Sequence, residues 1–362
     1  MSNKQKEGFT TGSAAAAAAK AALLYLGEER VPEKVDIPLP VQGRIQIPIY
    51  EIKNTAPGAM GTVIKDAGDD PDVTHKAHIQ AKVRLDSQKI RDKIDICGGQ
   101  GVGKVTKPGL PIEIGNAAIN PEPEKQIRNT IKETLDFLGL DIAVCVTISV
   151  KNGEKIARKT MNPRLGIKGG VSILGTRGTV RPYSHSSYRA TITSGLDVAR
   201  ATGVQEIALS TGGRSESMLK QYLPWLPESG FVLVADFFEF SLDKCREKDF
   251  KHVYYGCFFG KLLKMAQGFS YTHAKISRID FSLVASWCMD AGIETELSNL
   301  IRSSNTGRQV MNYILESANS KQVIEAITAK AIASARYFCG GNLAITYFVF
   351  DYQGNLLTKF CS

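Results

Sequence analysis

The stretch that decides the start of the fold is Thr10-Thr11-Gly12-Ser13, followed by six alanines at 14–19 and by Lys-Ala-Ala-Leu-Leu-Tyr-Leu at 20–26. Threonine or serine before an alanine run is typical of a helix start, because the hydroxyl oxygen accepts a hydrogen bond from a free backbone N–H. Gly27 predicts the end of this helix. A face of such small side chains can lie close to a sheet or a ligand, and the helix N-terminus favours an anion.

Working outward from this helix, the first half of the chain predicts an α+β domain. Apolar alternation and amphipathic spacing predict a hairpin over 35–52 that turns at Gly43, strands over 78–85, 112–114 and 143–150, and a helix over 123–138 closed by Gly139. These elements form no regular βαβ repeat, so strands and helices are expected to segregate.

The second half shows a different pattern, in which strands alternate with helices. Strands are predicted over 206–210, 230–238, 251–256 and 344–351, and helices over 195–202, 215–222, 261–267, 280–291, 307–315 and 322–337. This alternation predicts an α/β, Rossmann-like, doubly wound parallel-sheet domain. The Ser- and Thr-rich segment 183–194 is the predicted boundary, which gives domains over 1–186 and 187–362.

The chain of 362 residues is strongly basic, with 45 Lys and Arg against 36 Asp and Glu, a formal charge of +9. Residues 151–186 alone hold eight basic residues and one acidic residue, Glu154, and therefore carry +7 of the excess. Glycines interleave with these cations, which suits close backbone approach to an anionic ligand. A plain solvated basic face is the alternative interpretation.

Composition excludes several other classes of protein. Seven cysteines without C-x-x-C spacing make a disulfide framework or a zinc site improbable and favour a reducing, cytoplasmic location. The five histidines form no metal-binding pattern, so no metal site is predicted. No apolar run reaches the ~18 residues of a membrane span, so no membrane association is expected.

Two glycine-rich segments are candidate ligand loops. Gly98–Val105 has the spacing of a P-loop, but Val105 stands where Ser or Thr would bind Mg²⁺, and Pro108 and Gly109 follow instead of a helix. It therefore predicts an anion-binding turn that uses Lys104 and Lys107. The second segment, Thr211-Gly212-Gly213-Arg214-Ser215-Glu216, follows a predicted strand and opens a helix, where open α/β sheets bind ligands. A tight turn without a ligand is the alternative.

A cluster of acidic residues lies between the predicted strands of the first domain. Asp66, Asp69, Asp70 and Asp72 crowd around Gly68 and Pro71 and are followed by His75. Carboxylates this close repel one another unless cations or amides compensate. A solvated turn is one interpretation. The other is a carboxylate–imidazole pair, Asp72 with His75, that positions a substrate or moves a proton.

Taken together, the motifs resemble one family, the cobalt-precorrin-5B C-1 methyltransferases of anaerobic cobalamin synthesis. The resemblance covers nearly the whole chain and rests on segments 8–13, 69–75, 98–109, 118–121, 157–166, 169–175, 210–216, 260–266 and 272–273. The chain departs from the family pattern at Ala14, where a cysteine is frequent, at Lys76 and at Gln100. A thiol at position 14 is therefore not essential here.

The resemblance implies methyl transfer from S-adenosylmethionine to C-1 of a cobalt-containing ring, with cobalt present only as part of the anionic corrinoid substrate. On that basis Thr211–Glu216 are the expected cofactor-binding residues. The expected substrate clamp comprises Thr10, Thr11, Gly12, Ser13, Lys104, Lys107, Arg158, Lys159 and Arg164. Asp72 and His75 are the catalytic candidates.

Two rival functions come from other classes of protein. A basic α+β domain is common among RNA-binding proteins, but the basic segment lacks interleaved aromatics to stack on bases, so no nucleic-acid partner is expected. The second rival is a non-catalytic corrinoid carrier, or an enzyme that acts on the side chains of the corrinoid. The sequence leaves the oligomeric state open, a homo-oligomer included.

Overall fold

The computed structural model describes residues 5–86, 93–341 and 343–361. The chain divides into two compact units, unit 1 over Met1–His185 and unit 2 over Ser186–Ser362. Each unit has its own hydrophobic core, and each is described by itself.

Unit 1 combines three helices with short strands in the part of the chain that the structure describes. The helices are α1 (Thr11–Glu28), α2 (Pro121–Leu138) and α3 (Gly153–Ala157). The strands are β1 (Gly8–Phe9), β2 (Lys34–Pro38), β3 (Arg44–Pro48), β4 (Glu51–Asn54), β5 (Ala59–Ile64), β6 (His78–Asp86), β7 (Ile94–Gly98), β8 (Gly101–Val102), β9 (Lys104–Val105), β10 (Ala143–Val150), β11 (Ile167–Lys168), β12 (Gly170–Val171) and β13 (Thr179–Val180).

The main sheet of unit 1 has the strand order β4-β5-β6-β10-β7 and is antiparallel except for the pair β10 and β7. Helix α1 packs against β5, β6 and α2, and its alanines at 14–19 are fully buried. A Cβ added to Gly61 of β5 would lie 2.2 Å from the carbonyl oxygen of Ala18. The alanine run therefore lets helix backbone lie directly against sheet backbone, which larger side chains would prevent.

Unit 2 alternates helices and strands. Its helices are α4 (His185–Ala201), α5 (Gly213–Tyr222), α6 (Phe238–Glu247), α7 (Phe259–Ala266), α8 (Phe281–Asp290), α9 (Thr295–Arg302), α10 (Gly307–Glu316) and α11 (Ser320–Cys339). Its strands are β14 (Glu206–Ser210), β15 (Phe231–Leu233), β16 (His252–Phe258), β17 (Ala344–Phe350) and β18 (Leu356–Cys361). The sheet order is β15-β14-β16-β17-β18, with only the last pair antiparallel in this described sheet.

The two faces of the unit 2 sheet bury different helices. Helix α5 packs over Gly256, where an added Cβ would meet the Leu219 side chain at 2.9 Å. The opposite face carries the buried Tyr255 and Tyr347, whose contacts are Phe238 of α6 and Met265 of α7. Because neighbouring residues of a strand point to opposite faces, the sheet has helices on both sides.

Most predicted elements are confirmed, and the differences have local causes. The helix predicted over 14–26 has Thr10 as N-cap, whose side chain accepts from the Ser13 backbone N–H, and it continues through Gly27, its predicted end, to Glu28. The hairpin predicted over 35–52 is β2 and β3 and ends at Pro48, since 51–52 belong to β4 of the main sheet. The strand predicted over 112–114 is wrong, since that segment is bend and turn. The strand predicted over 230–238 ends at Leu233, because the chain turns at Ala235, with φ of 46°, and enters α6.

The predicted boundary segment 183–194 lies mostly within α4, and the strand β18 and helix α9 were not predicted. Burial of Ile192 and Leu196 supports α4 despite its polar N-terminal half. Among the described residues, no helix is both long and apolar enough to span a bilayer.

Candidate functional site

The first turn of α1 is hydrogen-bonded to a loop of the same unit, residues 172–178. Thr11 Oγ1 accepts from the backbone N–H of Leu174 at 2.8 Å and lies 3.2 Å from the Ser172 carbonyl oxygen. Ser13 Oγ donates to the Gly178 carbonyl at 2.8 Å, and the Gly12 N–H donates to Leu174. Thr10, Thr11, Gly12 and Ser13 are buried. These four residues, predicted to clamp a substrate, instead fasten the 172–178 loop to the helix.

Of the two lysines predicted at the first glycine loop, Lys104 lies on a short strand pair and Lys107 follows it in a bend. Lys104 of β9 stands directly opposite Lys168 of β11, and both side chains are exposed. The side chain of Lys107 lies over Gly166, where an added Cβ would meet Lys107 Cγ at 2.4 Å. Like charges directly opposite one another in a sheet repel, so this pair favours an anion between or beside the ammonium groups.

A cavity of about 720 Å³ lies against the same strands. Its wall includes Gly98, Gly103, Lys104, Asn116 and the start of α2. This volume is in the range of pockets that hold small molecules. Two carboxylates, Glu113 and Glu124, also line it, and Glu124 pairs with Arg128 at 2.9 Å.

The remaining predicted cations of unit 1 follow helix α3. Arg158 and Lys159 are exposed at its end, whereas Arg164 is half-buried. Asn162 lies between them and is buried, because its amide donates to the Gly170 carbonyl at 3.0 Å and accepts from the Ser172 hydroxyl at 3.3 Å. Asn162 therefore holds the glycine-rich 170–172 backbone, and the cations at 158–159 stand at the surface.

The acidic cluster is organised by a buried lysine. In the described structure the Asp72 carboxylate contacts the Lys65 ammonium at 2.6 Å and accepts from the Thr74 N–H and hydroxyl at 2.7 Å each. Burial raises the pKa of Asp72, but Lys65 and Thr74 outweigh it and hold this pKa below its ordinary value. The predicted partner, His75, instead accepts the Ala67 N–H at its Nδ1 atom, 3.8 Å from Asp66.

These contacts replace the predicted Asp72–His75 pair with a Lys65–Asp72 pair. The exposed fraction of the Lys65 side chain is only 2%. Asp72 is thereby fixed as an ionised acceptor, which makes proton uptake by this carboxylate unfavourable at neutral pH.

The second glycine segment lies at the carboxyl end of β14. The chain runs from β14 through α5 to β15 and then through α6 to β16, on the other side of β14. Open α/β sheets bind ligands where strand order reverses in this way. A Cβ added to Gly212 or Gly213 would meet no atom within 4 Å, so open space adjoins the backbone there.

The six residues of this segment differ in what they present to that space. Thr211 and Gly212 are half-buried, and Gly213 and Arg214 are exposed. Ser215 is buried, and its hydroxyl donates to the Gly212 carbonyl at 2.9 Å and caps α5. Glu216 is also buried. The open part of the predicted cofactor loop is therefore 211–214.

Polar residues that were not predicted lie at the ends of the neighbouring strands. Lys261, at the start of α7, contacts the carboxylate of Asp236, which also accepts from the Thr272 hydroxyl at 3.1 Å. Burial and the nearby Lys264 lower the pKa of Lys261 to about 8. The signal that could have found Lys261 and Thr272 is the Gly260-Lys261 motif directly after β16 and the Thr272-His273 motif after α7.

Ser210, the last residue of β14, adds an unusual feature to this edge. It is fully buried, and its hydroxyl has no hydrogen-bond partner among the described residues. Buried hydroxyls are nearly always paired, so an unpaired one beside an open glycine turn is consistent with a ligand or water at that position. No group of three or more His, Cys, Asp and Glu residues in the described chain is placed to hold a metal ion.

A cavity in one unit, lined by Lys104 and two carboxylates among other residues, and an open glycine turn at the ends of parallel strands in the other define a ligand-binding protein with mixed α and β structure. The chain belongs to the CbiD family: the CbiD model matches residues 1–182 and the model of its C-terminal domain matches residues 271–359.

Relatives agree over nearly the full length. The chain is 44% identical over 360 residues to the cobalt-precorrin-5B C(1)-methyltransferase of Nitratidesulfovibrio vulgaris, covering 98% of this chain and 92% of that one. It is 41% identical to the protein of the same name in Geobacillus kaustophilus, covering 98% and 94%. A crystal structure of the cobalamin biosynthesis protein cbiD from Archaeoglobus fulgidus is 26% identical, with a TM-score of 0.41 over 72% of this chain and 79% of that chain.

Proposed function

We propose that this protein transfers a methyl group from S-adenosylmethionine to C-1 of cobalt-precorrin-5B, as part of cobalamin biosynthesis. The observation that carries this proposal is the identity of 44% with a relative of that name over 98% of the chain. Cobalt enters as part of the substrate. An activated sulfonium methyl needs mainly alignment with the acceptor carbon, so the demands on the protein are binding and orientation.

The carboxyl ends of the parallel strands of unit 2 fit a nucleoside-type methyl donor. Open space adjoins Gly212 and Gly213, the Ser210 hydroxyl is buried and unpaired in the described structure, and Asp236 follows the next strand. A carboxylate about 20 residues beyond a glycine turn is the usual acceptor for ribose hydroxyls in such sheets. We therefore assign the donor to the Thr211–Gly213 turn, with Ser215 and Glu216 supporting the turn from behind.

The role of the protein in the transfer is to hold the donor while its sulfonium charge is lost. In the transfer, the ring carbon supplies the electron pair of the new carbon–methyl bond, and the pair of the broken sulfur–methyl bond stays on sulfur, leaving a neutral thioether. Loss of the sulfonium charge means that a carboxylate near sulfur would favour the donor over the product. Asp236 is held by Lys261, which offsets its negative charge at this edge.

Unit 1 supplies cationic groups for the carboxylate side chains of the corrinoid in this proposal. Lys104, which lines the cavity of about 720 Å³, stands opposite Lys168 in the strand pair of β9 and β11, and Lys107 follows shortly after β9. Arg158 and Lys159 are exposed at the end of α3. Asp72 and His75 belong to a paired acidic cluster, so we propose that they maintain the shape of the unit. In this proposal the localised positive charge binds the carboxylate side chains of the macrocycle.

We also propose that the sheet of unit 2 is of the Rossmann-like, doubly wound type. Its order is that of the second, first, third and fourth strands of the unit, all parallel, with a fifth antiparallel strand at the edge. Helices cover both of its faces, as this type requires. A cytoplasmic location is supported by the seven cysteines, all in the described part of the chain and all free thiols.

The decisive experiment is label transfer. Purified protein is incubated with S-adenosylmethionine labelled in the methyl group and with cobalt-precorrin-5B, and the ring is tested for label. We expect one labelled methyl per ring and a stoichiometric amount of S-adenosylhomocysteine. Corrinoid that binds without acquiring label, although the donor is also bound, would identify a carrier and refute the proposal.

A further inference from the structure

At the carboxyl ends of the unit 2 strands, two arginines each lie over one of two stacked aromatic rings. The rings of Phe258 and Tyr352 lie 5.8 Å apart and within 4° of parallel. The guanidinium of Arg214 lies over Phe258 at 5.2 Å, and that of Arg308 lies over Tyr352 at 4.5 Å. Each arginine therefore lies over one ring of the stacked pair, and we call these four side chains the arginine ladder.

Hydrogen bonds fix the ladder in place. Arg214 donates from Nη2 to the Tyr352 carbonyl oxygen at 2.9 Å, and the Tyr352 hydroxyl is hydrogen-bonded by the backbone of Gly260. Both arginines are exposed at the surface of the unit. A guanidinium stacked flat on a ring keeps its N–H groups at its edges, directed away from the ring, where they can bind a carboxylate through two hydrogen bonds.

The electrostatic setting of the ladder is unfavourable without an anion. Arg214 and Arg308 lie in the first turns of α5 and α10, where a helix already presents partial positive charge. The N-termini of α10 and α7 touch, since a Cβ added to Gly307 would lie 2.8 Å from Gly260 Cα. Neither arginine has a carboxylate partner within the described residues.

The nearest acid along the chain does not neutralise them. The carboxylate of Asp351 accepts the N–H groups of Gln353, Gly354 and Asn355, and its second oxygen accepts from the Asn355 side chain at 2.7 Å. These bonds hold the pKa of Asp351 below its ordinary value although burial raises it. Asp351 therefore shapes the 351–355 turn that presents Tyr352.

We propose that Arg214 and Arg308 are a carboxylate clamp for the substrate, a role that rests on the proposed function and adds specificity-determining residues to it. The clamp lies at the sheet edge that we assign to the methyl donor, because Arg214 directly follows Gly213. Arg214, which the sequence predicts as a cofactor ligand, thereby binds substrate. Two guanidinium groups on fixed rings select a ligand with two acidic side chains over a neutral analogue.

The test compares two probes on the full chain. One is cobyrinic acid, a cobalt corrinoid with free carboxylates, and the other is its fully esterified form. For R214Q/R308Q we expect the Kd of the free acid to rise at least tenfold for each arginine removed, and the Kd of the ester to change less than twofold. The Kd of S-adenosylhomocysteine is expected to stay within twofold.

Two further variants control for charge and folding. R200Q removes a partly exposed arginine that pairs with Asp249 at the other end of the strands, and it is expected to bind both probes as the wild type does. R214K/R308K keeps both charges but loses the planar two-pronged donor, so an intermediate Kd is expected. Retained binding of the ester and of S-adenosylhomocysteine by R214Q/R308Q shows that its loss of acid binding is not a folding defect.

Each remaining outcome is decisive. If R214Q/R308Q binds the free acid as the wild type does, or loses acid and ester equally, the clamp is refuted. Loss of S-adenosylhomocysteine binding would assign Arg214 to the cofactor site and would also refute the clamp. If the wild type transfers label and R214Q/R308Q does so with the same KM, the clamp fails while the proposed function stands. If the wild type binds neither probe and transfers no label, both fail.

Discussion

The pair formed by Lys65 and Asp72 offers the sharpest test of the interpretation of unit 1. The Lys65 side chain is 2% exposed and that of Asp72 is 26% exposed, so replacing Asp72 by asparagine leaves a buried ammonium without its counter-charge. Asparagine keeps the shape and the acceptor for Thr74, which isolates the effect of charge. Breaking a buried pair costs about 3–5 kcal/mol, and the partial exposure of Asp72 places D72N near the lower end, about 3 kcal/mol.

The loss is measurable because it is confined to one unit. A domain of this size shifts its Tm by about 2–4 °C per kcal/mol, so about 6–12 °C is expected. Hydrogen exchange of peptides from β5 and β6 monitors unit 1. Both tryptophans, Trp225 and Trp287, belong to unit 2, and their fluorescence is expected to show an unchanged transition.

Two variants complete the cycle. K65M/D72N also removes the buried ammonium that D72N leaves unpaired, and it is expected to recover more than half of the stability that D72N loses. D66N removes the partner of Lys6, whose side chain is 68% exposed, and is expected to cost far less stability than D72N. A D72N protein as stable as D66N, or a double variant no more stable than D72N, would refute the buried pair as the organiser of the acidic cluster.

Three other perturbations follow from the structure. G101A places a Cβ 2.0 Å from the Val150 carbonyl oxygen at a φ of 77° and is expected to cost more than about 2 kcal/mol in urea unfolding, whereas G169A, also at positive φ but in open space, costs about 1 kcal/mol. T11V leaves the Leu174 N–H unpaired and is expected to lose about 1–3 kcal/mol, most of it restored by T11S. Burial lowers the pKa of His252 in the folded chain, so the unfolded imidazole takes up its proton first as pH falls. Stability of unit 2 should therefore fall below about pH 6.5 in the wild type and fall less in H252Q, as urea titrations at two pH values would show.

The sequence predicts the elements with strong periodicity and leaves out those defined by tertiary contacts. Helix α1 and strands β10 and β14 lie where their patterns predict them. The strand β18 is not marked by alternation, because its burial comes from pairing with β17. Helix α6 is not predicted from the sequence, and Phe237 and Phe238 extend the apolar run of the predicted strand past the turn at Ala235 as far as the first residue of this helix.

The candidate site shows the same division. The Thr211–Gly213 turn is marked in the sequence by its glycines, and in the structure open space adjoins its backbone. The partners of a side chain are a property of the fold. Asp72 is two residues from Thr74 but reaches Lys65 across a turn, and Thr10–Ser13 meet a loop more than 160 residues away. No spacing rule reveals such contacts.

The contact between the backbones of α1 and β5 has a practical consequence for mutagenesis. An alanine scan is silent across 14–19, because the side chain to be removed is already the one present. The element on which unit 1 is built would therefore appear tolerant in such a survey. Only substitutions that add atoms would expose it, and the profile of permitted residues along α1 should track the space left by the sheet, with Ala18 over Gly61 the least permissive.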